Sequence, residues 1–270
     1  MLRRLSMFVL AGVLLLAVAA PTVAAEDAVG RITVIGATAR SGRVIIAQAL
    51  DAGYEVIGLA RSPQKLQIEH DRLTLVKGDV RNQASLEAAL TGDEAVICMV
   101  GFPTPKDPTQ DIGEVDLYTV MAGNLIAAMK KQGNRRLIMA SSTGVEHRVD
   151  PAATAPAGDS MSDLWRFNAR HLYGDMSDME TMIERSGLEY VLLRPGFMVE
   201  EPARNDLRFS TGGTTPKQRT ITYEDFAAFT LAQVASEEYL GQAVGIYSDT
   251  VMDPVAEMKK FQEKMRKATP

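Results

Sequence analysis

The stretch Val34-Ile35-Gly36-Ala37-Thr38-Ala39-Arg40-Ser41-Gly42-Arg43 decides the fold. It grows out of the apolar run Ile32-Thr33-Val34-Ile35, whose lack of polar–apolar alternation predicts a strand buried on both faces. Residues 43–52, which follow, carry apolar side chains at helical spacing and predict a helix. A strand that passes directly into a helix needs a glycine where the chain turns, and a second where helix and strand pack closely. Gly36 and Gly42 fill those two places. Such a turn leaves backbone N–H groups at the helix start without intrahelical partners, and the helix dipole there favours an anion.

Outward from the turn the same unit repeats. Residues 55–59, 73–76, 95–100, 136–140 and 190–193 predict further strands, and residues 84–90, 116–131 and 177–185 predict helices between them. Continuous apolar strands separated by helices mean a parallel sheet covered on both faces, a doubly wound α/β fold. No linker, repeat or low-complexity tract interrupts residues 26–270, so a single domain is expected. Residues 102–113, with Pro103, Pro105 and Pro108, and residues 144–163, with Pro151 and Pro156, break the rhythm just after strand ends. Ligands bind at those ends in open α/β sheets, so the two segments are either lids over a site or ordinary surface loops. Thr222 followed by Asp225 predicts an N-capped helix through residue 235, and Met121, Met129, Met179 and Met182 fall at core positions.

Composition narrows the function. The 270 residues are 46% hydrophobic and 23% charged, which excludes a disordered chain. Lys and Arg number 29 against 34 Asp and Glu, for a net charge of −5, and no basic block is present, which argues against nucleic acid as a partner. One cysteine, Cys98, excludes an intramolecular disulfide, and His70, His147 and His171 lack metal-ligand spacing, so no metal site is expected. The first 25 residues read as a secretory signal: Arg3 and Arg4, then 14 apolar residues from Met7 to Ala20, then Val23-Ala24-Ala25 as a cleavage site. The alternative is an uncleaved anchor, although the apolar run is shorter than the ~20 residues that span a bilayer. Either way the arginines stay inside and the rest is exported, to a periplasm or beyond the cell. Cleavage after Ala25 leaves 245 residues and a charge of −7.

The glycine turn resembles the Gly-Ala-Thr-Gly-x-x-Gly turn of atypical short-chain dehydrogenases, the group that includes NmrA-like and biliverdin/flavin reductase-like NAD(P)-binding proteins. Ala39 stands at the place of the middle glycine. Further pieces match in order from about residue 31 to 248: Leu59-Ala60-Arg61-Ser62-Pro63, Gly78-Asp79-Val80, the strand ending at Gly101, Gly123-Asn124 through Ser141-Ser142, and Leu193-Arg194-Pro195-Gly196. The resemblance implies a Rossmann-like domain that binds NADP(H) or NAD(H) with Gly36, Thr38, Ala39, Arg40, Ser41 and Gly42 around the pyrophosphate. It places Asp79 and Val80 on the adenine side, Gly101 beneath the cofactor and Pro195 beside the nicotinamide. Arg61 stands where NAD-preferring enzymes usually carry an acid for the ribose; with Arg40 it would clamp a 2′-phosphate, which favours NADP(H), or else it is a surface charge.

Typical short-chain dehydrogenases pair a tyrosine with a lysine four residues on, and here Tyr173 is followed by Met176 and Ser177. Without a cation the phenol is expected to stay near ~10, acting as a weak proton donor or in packing alone. Ser141 and Ser142, at the end of the fifth strand, either hydrogen-bond a substrate or nicotinamide group or cap the strand. Biliverdin/flavin reductase-like members lack the dyad too, because a flavin or tetrapyrrole acceptor takes its proton from solvent. The expected activity is an NADPH-dependent reductase of a conjugated or quinonoid small molecule. The rival is a non-catalytic NAD(P)-binding regulator or assembly factor, as NmrA-like relatives are.

Overall fold

In the computed structural model, which describes residues 29–103, 107, 109–155 and 161–251, β1 (Arg31–Ile35) is paired on both sides, with β2 (Glu55–Ala60) and β4 (Ala95–Cys98). β3 (Leu73–Lys77) extends the sheet beyond β2, and β5 (Arg136–Ala140), β6 (Glu189–Pro195) and β10 (Gln242–Tyr247) extend it beyond β4. All these pairings are parallel; the outermost strand, β8 (Arg208–Thr211), runs antiparallel to β10. A separate parallel pair, β7 (Phe197–Val199) and β9 (Thr220–Thr222), follows β6.

Period-two alternation divides the core between the two faces. Ile32, Val34, Ile97 and Ile138 point to one side, where they pack with Ile45, Ile46 and Ala49 of α1 (Arg40–Asp51) and Phe226 and Phe229 of α6 (Tyr223–Ala232). Ile35, Val96, Cys98, Leu137 and Met139 point to the other, against Leu86 of α2 (Gln83–Glu87), Met121 and Leu125 of α3 (Leu117–Gln132) and Met179 and Ile183 of α5 (Arg170–Glu184). The doubly wound parallel sheet expected from the strand pattern is present as one Rossmann-like domain.

Four differences have physical causes. α1 begins at Arg40 rather than at residue 43, because the glycine turn passes into helical backbone while still contacting β1. α5 begins at Arg170 rather than at residue 177, and α4 (Met161–Asn168) precedes it; the polar, glycine-containing run 170–175 hides this start in the sequence. β4 stops at Cys98, although the Met99 N–H still bonds the Ile35 carbonyl at 2.8 Å. β7 to β9 are short, and they and β10 are held by partners distant in sequence, so local pattern does not mark them. The predicted cap is present: the Thr222 hydroxyl accepts from the Asp225 N–H, though α6 ends at Ala232. The signal segment 1–25, residues 104–106 and 108 of the first loop, 156–160 of the second and 252–270 lie outside the described residues. Among the described residues no helix is long and apolar enough to cross a membrane.

The chain winds outward from β1 to β3 and then resumes at β4 on the other side of β1. That reversal opens a crevice beyond the C-terminal ends of β1 and β4, where a doubly wound sheet binds its ligand.

Candidate functional site

The crevice begins at Gly36, whose φ of +88° belongs to the region glycine favours. A Cβ there would stand 2.9 Å from the Met99 carbonyl carbon, and one on Gly42 would stand 2.3 Å from the Gly36 oxygen. Both glycines are therefore required by geometry. The N–H groups of Gly36 and Ala37 bond the Leu59 carbonyl at 2.9 and 3.0 Å, fastening the turn to the end of β2. Ala39 has φ −65° and ψ 156°, ordinary extended backbone, so its methyl costs the turn no strain.

The start of α1 is open to an anion. No side chain caps it and no acid stands in its first turn. The N–H groups of Arg40, Ser41 and Gly42 have no acceptor among the described residues, although Gly42 is buried. A buried amide without a partner is costly, and a phosphate on it removes that cost. The pyrophosphate of a dinucleotide thus fits the residues present. Arg43 holds the turn from behind, its guanidinium donating to the Thr38 carbonyl at 3.2 Å and the Lys65 carbonyl at 2.6 Å. Arg40 lies 3.4 Å from Glu200, both exposed, a pair that contributes little. Arg61 is exposed at the end of β2 and makes no ion pair or hydrogen bond among the described residues.

Beyond β3 the Asp79 carboxylate accepts the Arg81 N–H at 2.9 Å, and the Val80 carbonyl accepts from Asn124 of α3 at 2.9 Å. Gly101 is exposed just past β4, and the neighbouring Phe102 N–H donates to the Tyr118 hydroxyl at 3.0 Å. Burial pushes the Tyr118 phenol up to about 12. The N-terminus of α3 is capped from another helix: Asp175 of α5 accepts from the N–H groups of Tyr118 and Thr119 at 2.7 and 3.1 Å.

The far wall is built on a buried ionic cluster. Ser141, expected either to hydrogen-bond a substrate or nicotinamide group or to cap the strand, is buried and donates to Glu180 at 2.5 Å. Glu180 binds Arg194 at 2.5 Å, and Arg194 also meets Glu146 at 3.4 Å. Burial opposes the charge of Arg194, but the hydrogen bonds and charges of Glu180 and Glu146 together hold its guanidinium above the usual value. Glu146 in turn accepts from the N–H and hydroxyl of Thr215 at 2.9 and 3.0 Å, tying the β8–β9 loop to the end of β5. Ser142 caps the short 3-10 turn Thr143–His147 by accepting from Gly144, while Thr143 donates to the Pro195 carbonyl at 3.2 Å.

Tyr173 of α5 stands next to Ser142. Its ring lies so close to Gly144 that a Cβ there would be 2.1 Å from a ring carbon. Burial pushes the phenol above its ordinary value, against the Trp165 hydrogen bond, the Arg166 charge and the Ser142 hydroxyl. This corrects the expectation of an unshifted phenol with no nearby cation. The lysine position, four residues on from Tyr173, is taken by Ser177, next to buried Met176. The two loops flanking the crevice meet at Arg170, which donates to Asp111 of the first at 2.7 Å and to the Pro151 carbonyl of the second at 3.2 Å.

The fold thus brings the predicted turn residues Gly36 to Gly42, together with Arg61, Gly101, Ser142 and Pro195, to the C-terminal edge of one parallel sheet. Ser141 is drawn into the core instead. The sequence reading missed Arg43, Asn124, Asp175 and Glu180. Arg43, one turn after Arg40, carries a local signal; the partners of the others lie too far along the chain.

The chain is 29% identical over 231 residues to an uncharacterised chloroplastic protein of Arabidopsis thaliana, covering 80% of this chain and 75% of that one. A Rossmann-fold NAD(P)-binding family protein from Shigella flexneri superposes with a TM-score of 0.57 at 26% identity, over 83% of this chain and 96% of that one. A short-chain dehydrogenase/reductase from Veillonella parvula, in complex with NADP, superposes with a TM-score of 0.64 at 18% identity over 82% and 96%, a likeness of fold. Residues 36–237, from the glycine turn to just past α6, match the NAD(P)H-binding family, and the chain belongs to that family.

Proposed function

We propose that this protein is an exported reductase that uses NADPH to reduce a conjugated or quinonoid small molecule such as a flavin, quinone or tetrapyrrole. The observation that carries it is the uncapped start of α1, with three N–H groups that have no acceptor among the described residues and three arginines (Arg40, Arg43 and Arg61) on or beside the turn. The N–H groups of residues 40–42 hold the pyrophosphate, and the exposed guanidinium of Arg61, without a partner among the described residues, supplies the contact that favours a 2′-phosphate. When bound, the reduced nicotinamide supplies a hydride. The chain's own residues do the rest: Pro195 and Gly101 border the nicotinamide end, and the loops joined at Arg170 exclude water from it. With Ser177, after Met176, where a lysine stands in typical relatives, and with burial holding the Tyr173 phenol above its ordinary value, the product's proton comes from solvent. Export rests on residues 1–25, and the mature chain is expected to begin at Glu26.

The test is direct. Purified protein is titrated with NADPH and NADH, then assayed with FMN, a soluble quinone and biliverdin at saturating NADPH. NADPH binding tighter than NADH with turnover of at least one acceptor supports the reading. Tight NADPH binding with no turnover of any of them assigns the protein as a non-catalytic dinucleotide-binding regulator or assembly factor.

A further inference from the structure

The segment that follows β7 is held more firmly than a surface loop requires. Val199, the last residue of β7, is buried. A few residues on, the start of α6 accepts from three successive backbone N–H groups: Ala203 donates to the Glu224 carboxylate at 2.8 Å, and Arg204 and Asn205 donate to the two oxygens of Asp225 at 2.8 and 3.1 Å. Asn205 adopts a φ of +56° there, a conformation uncommon outside glycine. The Arg204 guanidinium donates to the hydroxyls of Thr220 and Ser248 at 2.8 and 3.0 Å. α6 is in turn fastened to α1, where Gln48 donates to the Glu224 carbonyl at 3.2 Å.

Residues 200–202, between these two anchored points, are therefore set at one place relative to α1. There the Glu200 carboxylate lies 3.4 Å from the guanidinium of Arg40, the first residue of α1. It reaches Arg40 from the β6 side of β1, whereas Arg61 stands at the end of β2, on the other side. An acid carried to the start of an uncapped helix has the wrong charge for an anion held there. It takes up the one side-chain cation that the helix start itself supplies. Both partners are exposed and the pair is weak, so Arg40 can leave it, but leaving it has a cost.

Resting on the dinucleotide reading above, we propose that Glu200 is an internal competitor of the pyrophosphate for Arg40, and so sets the affinity of the crevice for its dinucleotide. Without ligand Arg40 pairs with Glu200; with a dinucleotide it turns to the pyrophosphate and the pair is given up. The cost falls on NADPH and NADH alike, because both carry the pyrophosphate. It also loosens the hold on the oxidised dinucleotide, which favours exchange of spent for fresh cofactor.

The test is calorimetric titration of purified protein and needs no turnover. Glu200→Gln keeps the size of the side chain and removes its charge. At low salt it is expected to tighten NADPH and NADH alike by about two- to fivefold, the worth of an exposed ion pair. In about 1 M salt, where the screening length is ~3 Å, that gain is expected to vanish. Glu201→Gln removes the neighbouring charge, whose carboxylate pairs with Arg204 at 2.6 Å, and is expected to leave both affinities unchanged. In an Arg40→Gln background Glu200→Gln is expected to do nothing further. Unchanged affinity in Glu200→Gln alone would overturn the proposal. An equal gain in the Arg40→Gln background, or in Glu201→Gln, would overturn it too, because the acid would then act on the phosphates through its field and not through Arg40. A gain for NADPH alone would assign Arg40 to the 2′-phosphate and end its role at the pyrophosphate. Wild-type protein that binds neither dinucleotide removes the cofactor reading and this role with it, a result seen before any variant is compared.

Discussion

Ala39 and Gly42 stand three residues apart in one turn, yet the structure gives their methyl groups opposite consequences. A methyl on Gly42 meets the Gly36 carbonyl at 2.3 Å, so Gly42→Ala must push α1 off β1. Gly42→Ala is expected to cost about 1 to 3 kcal/mol of stability and to abolish dinucleotide binding, read by urea denaturation and NADPH titration. The Ala39 methyl strains nothing in the chain itself, so its effect falls on the ligand. Ala39→Gly is expected to tighten dinucleotide binding while lowering stability by up to about 1 kcal/mol; unchanged affinity would show that the methyl is accommodated. For Arg61, whose guanidinium has no partner among the described residues, Arg61→Ala should weaken NADPH by roughly 1.5 to 3 kcal/mol more than NADH, and equal losses would end its assignment to the 2′-phosphate. The turn was readable from the sequence because the requirement it meets is local. Ser141 was not, because Glu180, which captures its hydroxyl, lies 39 residues away and is brought in by the packing of α5 on β5.

At the scale of elements, legibility followed the unbroken apolar run. β1, β4 and β5 stand out as unbroken apolar runs because both faces of each are covered, whereas β7 to β10 are defined by non-local pairing and carry no comparable run. The first turns of α5 are hidden for a further reason: their residues serve other elements. Asp175 caps α3, and Arg170 joins the two loops over the crevice while stacking 4.3 Å from the Phe167 ring. Polar residues spent on such contacts break the apolar pattern by which helices are found in sequence. Arg170→Ala releases both loops at once. It is expected to raise KM for the acceptor several-fold, leave NADPH affinity nearly unchanged, and open protease cleavage within residues 102–113 and 144–163, as mass spectrometry of limited digests would show. Cleavage confined to one segment would mean that the other is anchored independently.

For the whole molecule, the single cysteine reports on the sheet and its ligand together. Cys98 is fully buried in β4, next to the crevice strand β1, and burial pushes its thiol from an ordinary 9.0 to about 12. Below pH 9 both folded and unfolded chains keep this proton, and the contribution to stability is fully present. Between pH 9 and 12 the unfolded chain releases it while the folded chain does not, so the unfolded state binds fewer protons and stability falls as pH rises. Cys98 alone contributes a slope of about 1.4 kcal/mol per pH unit there. Tyr118, raised from 10.0 to about 12, and Tyr173, also raised by burial, begin to contribute as pH nears 10, so the comparison with Cys98→Ala assigns the thiol its share. Urea midpoints across that interval should fall in the wild type and fall less in Cys98→Ala. The same burial makes the thiol inert until the sheet opens, so alkylation at neutral pH measures global unfolding. NADPH binds only the folded chain and is expected to slow alkylation by a factor of 1 + [NADPH]/Kd, about a hundredfold at a hundred times Kd. Because this readout requires no turnover, it separates cofactor binding from catalysis: alkylation that NADPH leaves unchanged would remove the dinucleotide from the crevice, whatever acceptor the protein is offered.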